Sequence, residues 1–301
     1  MGLELSIIIP TFNRPDTLAL VLDSYAIQYG LKEIIIVDDA STLSYEKTLE
    51  GFKQKYPALS IVYHKNTKNM GAGASRNIGL SIAKGNYILW GEDDAFLSDD
   101  YSFVLFNKIQ GEKKACFGSI FYGILPAMDK NEVDSAIQIQ SKINKPVFDY
   151  RTLEGYYRFK NIDDSFVPWG HALIMVPREG YENVTYFEGY KVNGYREETD
   201  AQVQLIKEGY MIQYTSHTSC FHFPSINKNG GQHSKNRFKY EYYKIKNNNL
   251  FLKRHFSFLK RQYQLKGTRK SYEFRFMLFV FKELFRGFKR RISRTFKKGD
   301  L

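Results

Sequence analysis

The stretch Tyr87-Ile88-Leu89-Trp90-Gly91-Glu92-Asp93-Asp94-Ala95 predicts both a fold and a site in this chain. Its first four residues are apolar, which is typical of a strand buried on both faces of a parallel sheet. Three carboxylates follow, and carboxylates this close together repel one another unless a cation or a ligand neutralises them. The stretch therefore predicts a divalent cation at the end of a buried strand and, through the cation, a phosphate-bearing ligand.

Two earlier runs show the same arrangement of an apolar strand followed by polar residues. Residues 5–10 and 33–37 are rich in β-branched side chains, and polar residues follow each of them at 11–14 and 38–41. Between these two runs, apolar residues recur at helical spacing, which predicts a helix. The same alternation continues after them, with helices predicted over 45–55 and 74–84 and strands predicted over 60–63 and 87–90. The alternation predicts an α/β fold with a doubly wound, mostly parallel sheet flanked by helices. Because ligands bind beyond the carboxyl ends of such strands, the three polar clusters are expected to meet at one rim.

The chain after residue 111 is less regular and richer in aromatic residues. Residues 195–200 place several acids before an apolar segment with helical spacing. This pattern predicts a loop that delivers carboxylates to the start of a helix, with Thr199 or Asp200 as the helix cap.

Composition excludes several classes of protein. The chain has 301 residues and 43% hydrophobic content, which is ample for a core. Its two cysteines have no ligand-like spacing, which argues against a disulfide framework or a zinc site and favours a reducing compartment. The sequence shows neither a charged leader nor an apolar run long enough to span a bilayer, so a cytoplasmic location is predicted.

Positive charge is concentrated at the C-terminal end. Residues 235–301 contain 21 Lys and Arg against 4 Asp and Glu, whereas the whole chain carries +12. This asymmetry predicts a catalytic domain over 1–234 and a basic, aromatic, helical tail over 235–301. The tail has an apolar helical stripe from Phe274 to Phe296, made of Phe274, Met277, Leu278, Phe281, Leu284, Phe285, Phe288, Ile292 and Phe296.

Such a helix can lie at the cytoplasmic face of a membrane and bind anionic lipids, which makes the protein peripheral there. The basic residues expected to anchor it are Arg290, Arg291, Arg294, Lys297 and Lys298. The alternative is a helix packed on the domain or on a second subunit, which leaves a homo-oligomer open.

Four segments together resemble the successive motifs of family 2 inverting glycosyltransferases of GT-A fold, in order and in spacing. In chain order they are 6–14, 37–41, 71–79 and 92–94. Residues 197–200 resemble the family's Glu-Asp segment, and 242–256 is similar to the tail of bacterial cell-surface polysaccharide transferases.

The resemblance covers about 5–256 and implies a nucleotide-binding half over about 1–110 and an acceptor half over about 111–234. It implies transfer of a sugar from a nucleotide sugar, by default a UDP-sugar, to a hydroxyl of an envelope or surface glycan, including a lipid-linked one. It also implies Mn²⁺ or Mg²⁺ as the cofactor.

Roles for individual residues follow from this resemblance and from their chemistry. Asp94 is the expected metal ligand, and His222 could join it or could be a partly buried histidine among aromatics. Glu198 is the expected base, because an inverting transfer needs a carboxylate opposite the leaving group. At both Glu198 and Glu92 this sequence has Glu where the family commonly has Asp. The nucleotide-sugar pocket is expected to use Pro10, Thr11, Arg14, Asp38, Asp39, Arg76, Glu92 and Asp93.

Acceptor binding is assigned to Trp169, His171 and Glu197. Core packing is the alternative for Trp169 and His171, and a turn after a strand is the alternative for Asp38 and Asp39.

Two other functions compete with this one. A nucleic-acid-binding protein would use the basic tail, but that hypothesis explains nothing in residues 5–200, so no nucleic-acid partner is expected. A sugar nucleotidyltransferase also has a doubly wound sheet and paired acids. Such an enzyme normally has a glycine-rich basic loop after the first strand, and residues 10–13 are not one.

Overall fold

The computed structural model describes residues 2–223 and 236–297, with side chains as far as Leu284. The strands in these ranges are β1 (Leu5–Thr11), β2 (Leu31–Asp38), β3 (Ser60–Lys65), β4 (Tyr87–Trp90), β5 (Ala95–Leu97), β6 (Lys114–Tyr122), β7 (Phe148–Asp149), β8 (Glu154–Gly155), β9 (Ser165–Phe166), β10 (Ile174–Pro177) and β11 (Met211–His222). The helices are α1 (Pro15–Ala26), α2 (Glu46–Lys55), α3 (Ala72–Ile82), α4 (Tyr101–Ile109), α5 (Lys130–Ser141), α6 (Glu197–Lys207), α7 (Arg237–Gln262) and α8 (Arg269–Lys297), and a 3₁₀ turn spans Arg178–Tyr181.

One large sheet organises the described residues. Its order is β3-β2-β1-β4-β10-β6-β11-β5, with β9 beside β11, while β7 and β8 form a separate ribbon. Strands β1 to β4 pair in parallel, β10 runs antiparallel to both of its neighbours, and β11 is parallel to β6. The predicted α/β fold with a mostly parallel sheet flanked by helices is confirmed.

The first half of the sheet is buried on both faces, which explains its unbroken apolar runs. Ile7, Ile8 and Ile9 are fully buried, although their side chains alternate between the two faces of β1. Helix α3 approaches this strand closely at Gly79, where a Cβ atom would lie 2.3 Å from Ile8 Cγ2. The helix that carries Arg76 is therefore seated on the sheet by a residue without a side chain.

Strands β6 and β11 extend the sheet, and they were not predicted from the sequence. They pair in parallel, with Tyr122 opposite His222 at their carboxyl ends. Strand β5 pairs with β11 in the antiparallel sense and sets His222 opposite Ala95, directly after Asp94. This pairing brings two segments that are far apart in the chain to the same rim.

Helix α7 follows the domain boundary predicted at residue 234, and it packs against elements that lie before that boundary. Phe251 is fully buried and packs edge-on against Trp169, with ring centroids 5.5 Å apart. His255 is also buried and contacts Asp200 of α6. Composition suggested a separate tail because α7 has many exposed Lys and Arg residues, yet its inner face completes the core.

Helix α8 has a packed face and an apolar exposed face. Tyr272, Phe276 and Val280 are buried, whereas the predicted stripe residues Phe274, Leu278 and Phe281 are 56%, 40% and 45% exposed. The face that packs on the domain is thus not the predicted stripe. The side chains of that stripe from Phe285 onward, and the predicted anchors Arg290, Arg291, Arg294, Lys297 and Lys298, lie outside the described residues.

In the described ranges, no helix combines the length and the apolar character that crossing a membrane requires.

Candidate active site

A cleft of about 660 Å³ opens at the carboxyl ends of β1 and β4. Asp94 and Glu198, more than a hundred residues apart in the chain, both line it. The other residues of the predicted site that line it are Pro10, Thr11, Arg14, Asp39, Arg76, Glu92, Asp93 and His222. The tertiary structure therefore brings most of the predicted residues into one space.

Glu92, Asp94 and His222 converge on one point of this cleft. One ligand atom from each lies within 4.8 Å of the others, and His222 Nε2 is 3.3 Å from Asp94 Oδ1 and 3.8 Å from Glu92 Oε2. Burial raises the pKa of Glu92 to about 7, with His222 opposing the rise and Asp94 adding to it. Burial lowers the pKa of His222, but the two carboxylates outweigh it and the net shift is upward. Two hard oxygens and an imidazole nitrogen form a donor set that fits Mn²⁺ or Mg²⁺, and a cation would relieve the repulsion between the carboxylates.

Asp93 turns away from this triad and is held by residues of β1 and the loop after it. Arg14 Nη1 lies 2.9 Å from Asp93 Oδ1 and 2.8 Å from Asp94 Oδ2, and Thr11 Oγ1 donates to Asp93 Oδ2 at 2.8 Å. Burial, together with the neighbouring Asp94, raises the pKa of Asp93 to about 6. Arg14 is therefore engaged with two acids, and it compensates part of their charge.

Asp38 and Asp39 have different environments despite being adjacent. Asp39 lines the cleft and accepts hydrogen bonds from Met70 N and Gly71 N, both at 2.8 Å, which ties the glycine-containing segment to the rim. Asp38 is fully buried and accepts from Ser41 N at 2.8 Å. Asp38 was predicted to contact the nucleotide sugar, but it does not line the cleft, and its carboxylate stabilises the turn after β2.

Glu198 is positioned by an arginine that lies almost entirely out of solvent. Arg76 Nη2 is 3.0 Å from Glu198 Oε1, and Arg76 Nη1 is hydrogen-bonded to Glu197. Burial lowers the pKa of Arg76, but Glu198 and Glu197 outweigh it, so the net shift is upward and the guanidinium is charged. The aromatic rings of Tyr186 and Trp90 lie beside the Arg76 guanidinium, with their centroids 5.4 and 6.0 Å from Arg76 Cζ. Arg76 was predicted to lie in the nucleotide-sugar pocket; it lines the cleft, and its charge is shared between two carboxylates.

The two glutamates at the start of α6 also separate. The Glu198 side chain is 30% exposed and lines the cleft. Glu197 is 3% exposed, and burial raises its pKa to about 7 although Arg76 opposes the rise. Glu197 was predicted to bind the acceptor, but it does not line the cleft, and its carboxylate contacts Arg76 inside the protein.

Helix α6 starts earlier than predicted, and neither Thr199 nor Asp200 caps it. Arg196 is the N-terminal boundary residue, with a left-handed φ of 74° and no side-chain cap. Asp200 lies in the first turn, where His255 Nε2 and Arg254 Nε each approach it at 2.7 Å. Burial raises the pKa of Asp200, but these two partners outweigh it and hold the pKa below its ordinary value. Asp200 thereby fastens the helix that carries Glu198 to α7.

Trp169 and His171, which were predicted to bind the acceptor, have contacts inside the protein. Trp169 is 3% exposed and packs between Phe148 and Phe251. His171 Nε2 lies 2.9 Å from Gly118 O, and burial lowers the pKa of its imidazole to about 4. Neither side chain lines the cleft, and the contacts of both favour the core-packing alternative.

Helix α7 contributes residues that sequence reasoning missed. Lys239 and Tyr240 line the cleft. Asn247 holds the rim loop, residues 190–194, by donating to Lys191 O at 2.9 Å and to Asn193 Oδ1 at 3.0 Å. The signal in the sequence was the polar run 247–249 within an otherwise amphipathic helix. A buried amide needs partners, and Lys191 and Asn193, the partners of Asn247, line the cleft.

The model of glycosyl transferase family 2 matches residues 6–178, which is more than half of the chain. A poly(ribitol-phosphate) beta-glucosyltransferase of Bacillus spizizenii is 38% identical over 101 residues, covering 33% of this chain and 16% of that protein. A cholesterol galactosyltransferase of Borreliella burgdorferi is 31% identical over 160 residues, covering 53% of this chain and 41% of that protein. This chain thus spans less than half the length of either relative.

The fold agrees with that of a solved mannosyltransferase, PcManGT from Pyrobaculum calidifontis, in complex with GDP-Man and Mn²⁺. The TM-score is 0.59 at 14% identity, with 85% of this chain and 65% of that chain covered. At this identity the likeness concerns the fold alone, and it confirms the GT-A fold predicted from the sequence. The family match includes β1, β2 and the acidic stretch 92–94, which lines one cleft together with Glu198, and on this evidence the chain belongs to glycosyl transferase family 2.

Proposed function

We propose that this chain is an inverting, metal-dependent glycosyltransferase. It moves a sugar from a nucleotide sugar, in the first instance a UDP-sugar, to a hydroxyl of a bacterial envelope or surface glycan. The observation that supports this proposal most strongly is the shared cleft, which Asp94 and Glu198 line from separate parts of the chain. Family membership favours glycosyl transfer over the nucleotidyltransferase and nucleic-acid-binding alternatives.

The donor is proposed to lie along the rim from β1 to the acidic stretch. Asp39 and Thr11 are close to the base and the ribose, with Asp93 facing the ribose hydroxyls. Asp94 and His222, joined by Glu92, hold Mn²⁺ or Mg²⁺. A cation bound there offsets the negative charge that grows on the diphosphate as it leaves.

Glu198 is the proposed general base. It accepts the proton of the acceptor hydroxyl while that oxygen forms a bond to the anomeric carbon, and the bond from this carbon to the phosphate oxygen breaks with its electron pair. Attack from the side opposite the leaving group inverts the anomeric configuration. Arg76 keeps the Glu198 carboxylate oriented, and partial exposure of that side chain leaves it accessible to the acceptor.

Thermal stabilisation tests the donor and metal assignments. UDP with Mn²⁺ is expected to raise the melting temperature, and Asp94→Ala is expected to abolish this increase, whereas Asp99→Ala, an exposed acid on a neighbouring turn, retains it. GDP with Mn²⁺ serves as the comparison for the base. Stabilisation of Asp94→Ala equal to that of the parent protein would refute the metal assignment.

Single-turnover transfer tests the base. Glu198→Gln is expected to lower the rate by about 100-fold or more while the affinity for UDP stays within a factor of two or three. Glu46→Gln, at an exposed position on α2, is the matched control. Normal turnover by Glu198→Gln would remove Glu198 as the base.

A membrane surface is the proposed partner of the exposed face of α8, which would place the enzyme at the inner face of the membrane. Phe274, Leu278 and Phe281 are exposed, and residues 269–297 contain ten Lys and Arg against two Glu. Apolar side chains among cations suit an anionic bilayer surface, where each basic residue contributes about 1 kcal/mol.

The test replaces these three apolar residues with Ser and measures sedimentation with phosphatidylglycerol vesicles. Truncation of α8 would be a poor test, because it would also remove the buried Phe276. The control is Phe166→Ser, at a 57% exposed phenylalanine elsewhere. Unchanged sedimentation of the triple variant would reject the membrane as the partner. If light scattering shows a dimer that the triple variant dissociates, the partner of this face is a second subunit.

A further inference from the structure

The rim of the sheet continues beyond the proposed metal triad to an aromatic residue and a cation that the mechanism does not use. Tyr122 ends β6 opposite His222, and the centroids of their rings are 5.5 Å apart. The Arg158 guanidinium lies over the Tyr122 ring, with Cζ 4.5 Å from the ring centroid. We propose that Arg158 on Tyr122 is an acceptor subsite for a phosphate or carboxylate group, so that the enzyme glycosylates an anionic glycan or polyol-phosphate chain.

The charge of Arg158 supports this inference. Within residues 2–223 and 236–284, no carboxylate oxygen comes within 4.0 Å of its guanidinium nitrogens, in contrast to Arg14, Arg76 and Arg196. The stretch 224–235, which follows β11, contains neither Asp nor Glu. A guanidinium stacked on an aromatic ring keeps N–H groups at its edge, and these groups suit bidentate binding of phosphate or carboxylate.

Two further cations lie beside the end of α5. Lys160, two residues after Arg158, and Lys142 line a hollow beside the end of α5, where Asp134 is the acid among the lining residues. Gln140 ties this helix to the subsite, donating to Tyr122 O at 2.8 Å and accepting from Tyr122 N at 3.0 Å. Several cations are suited to a chain with repeated negative groups, and a single small anion would need only one of them.

The position of Tyr122 and Arg158 favours binding of the acceptor over binding of the donor. The sheet order is β6-β11-β5, so Tyr122 lies on the opposite side of His222 from Ala95 and the carboxylates before it. Neither Tyr122 nor Arg158 lines the cleft assigned to the nucleotide sugar. This inference rests on the proposed glycosyl transfer, because only a chain whose hydroxyl enters the cleft would extend past His222 onto Arg158.

Binding of a labelled ribitol-phosphate hexamer to the full chain tests the proposal, with maltohexaose as the neutral probe. Arg158→Gln is expected to weaken hexamer binding about tenfold. Arg151→Gln, an exposed arginine in the same segment, is expected to leave it unchanged, and maltohexaose is expected to bind all forms equally. The basic C-terminal residues contribute the same background in each variant.

A position-sensitive measurement separates the subsite from that background. Mn²⁺ near Asp94 is expected to broaden the phosphorus resonances of a hexamer held at Arg158, and Arg158→Gln is expected to remove this broadening while Arg151→Gln retains it. Equal broadening in both variants would overturn the proposal. If Arg158→Gln does not weaken hexamer binding while UDP and Mn²⁺ still stabilise the protein, only this inference is refuted. If UDP with Mn²⁺ does not stabilise the parent protein, the proposed function is refuted.

Two further outcomes would reassign the arginine and overturn the acceptor assignment. If Arg158→Gln weakens UDP binding as much as hexamer binding, the residue belongs to the donor site. If it weakens binding to phosphatidylglycerol vesicles but not to the soluble hexamer, the residue recognises a lipid headgroup.

Discussion

Arg76→Lys is expected to impair catalysis while leaving donor binding nearly intact. Arg76 is 4% exposed and contacts both Glu197 and Glu198 through separate nitrogens of one planar group. A lysine keeps the charge but has a single terminal nitrogen, so it cannot hold the two carboxylates in the same geometry. The buried Glu197 would keep the ammonium, and Glu198 would lose its orienting contact at 3.0 Å.

The size of the effect follows from that lost contact. A hydrogen bond to a charged group contributes about 1.5 to 3 kcal/mol, and a displacement of about 1 Å in a catalytic group can cost about 100-fold in rate. We therefore expect kcat to fall by about 100-fold. The affinity for the nucleotide should change by no more than about threefold, because the Asp39 and Asp93 contacts are unaltered.

The assay is steady-state transfer with kcat and the donor KM measured separately, alongside UDP binding by calorimetry. Arg178→Lys, at an exposed arginine far from the cleft, is the matched control. A second variant, Arg76→Ala, should lose about 3 to 5 kcal/mol of unfolding free energy, since it leaves two carboxylates without their cation. Arg76→Lys should be much more stable than this variant.

The opposite kinetic pattern would refute this reasoning. If Arg76→Lys raises the donor KM about 100-fold with kcat unchanged, the guanidinium binds the diphosphate directly. The role inferred from the sequence would then be correct, and the contacts with the two glutamates would be structural only.

Three further predictions concern the metal, the core and the rim. Mn²⁺ affinity should fall as pH drops from 8 to 6, because Glu92, with a pKa of about 7, must be unprotonated to bind; titration calorimetry should show a flatter profile for Glu92→Gln. Asp200→Asn should cost about 3 kcal/mol in urea unfolding at pH 7. That difference in unfolding free energy should shrink below about pH 4. A carboxylate with a lowered pKa stabilises the fold above its ordinary pKa, and it loses this contribution as it is protonated. A difference that does not change with pH would contradict the role of Asp200 as an ion-pair partner. Asn247→Ala should raise the acceptor KM several-fold at constant donor KM, because it frees the rim loop at Lys191, and an unchanged acceptor KM would argue against α7 as a wall of the site.

The sequence by itself determined the sheet core and the location of the rim. Residues 5–10, 33–37 and 87–90 are apolar because these strands are buried on both faces, so their pattern is visible without any knowledge of contacts between them. Polar residues directly after such strands must lie at their carboxyl ends. The converging clusters, with Asp94 among them, followed from local patterns alone.

Only the tertiary structure decided which member of each acidic pair faces the cleft and which residues form its far wall. Asp38 is adjacent to Asp39, and Glu197 to Glu198, but neighbouring side chains point in different directions, so one partner of each pair is consumed by buried contacts. Trp169 and α7 depended on packing between segments some eighty residues apart, and composition does not encode such contacts. Burial and pairing are properties of the assembled core, and for that reason the chemistry available at the site could be assigned only after the chain was folded.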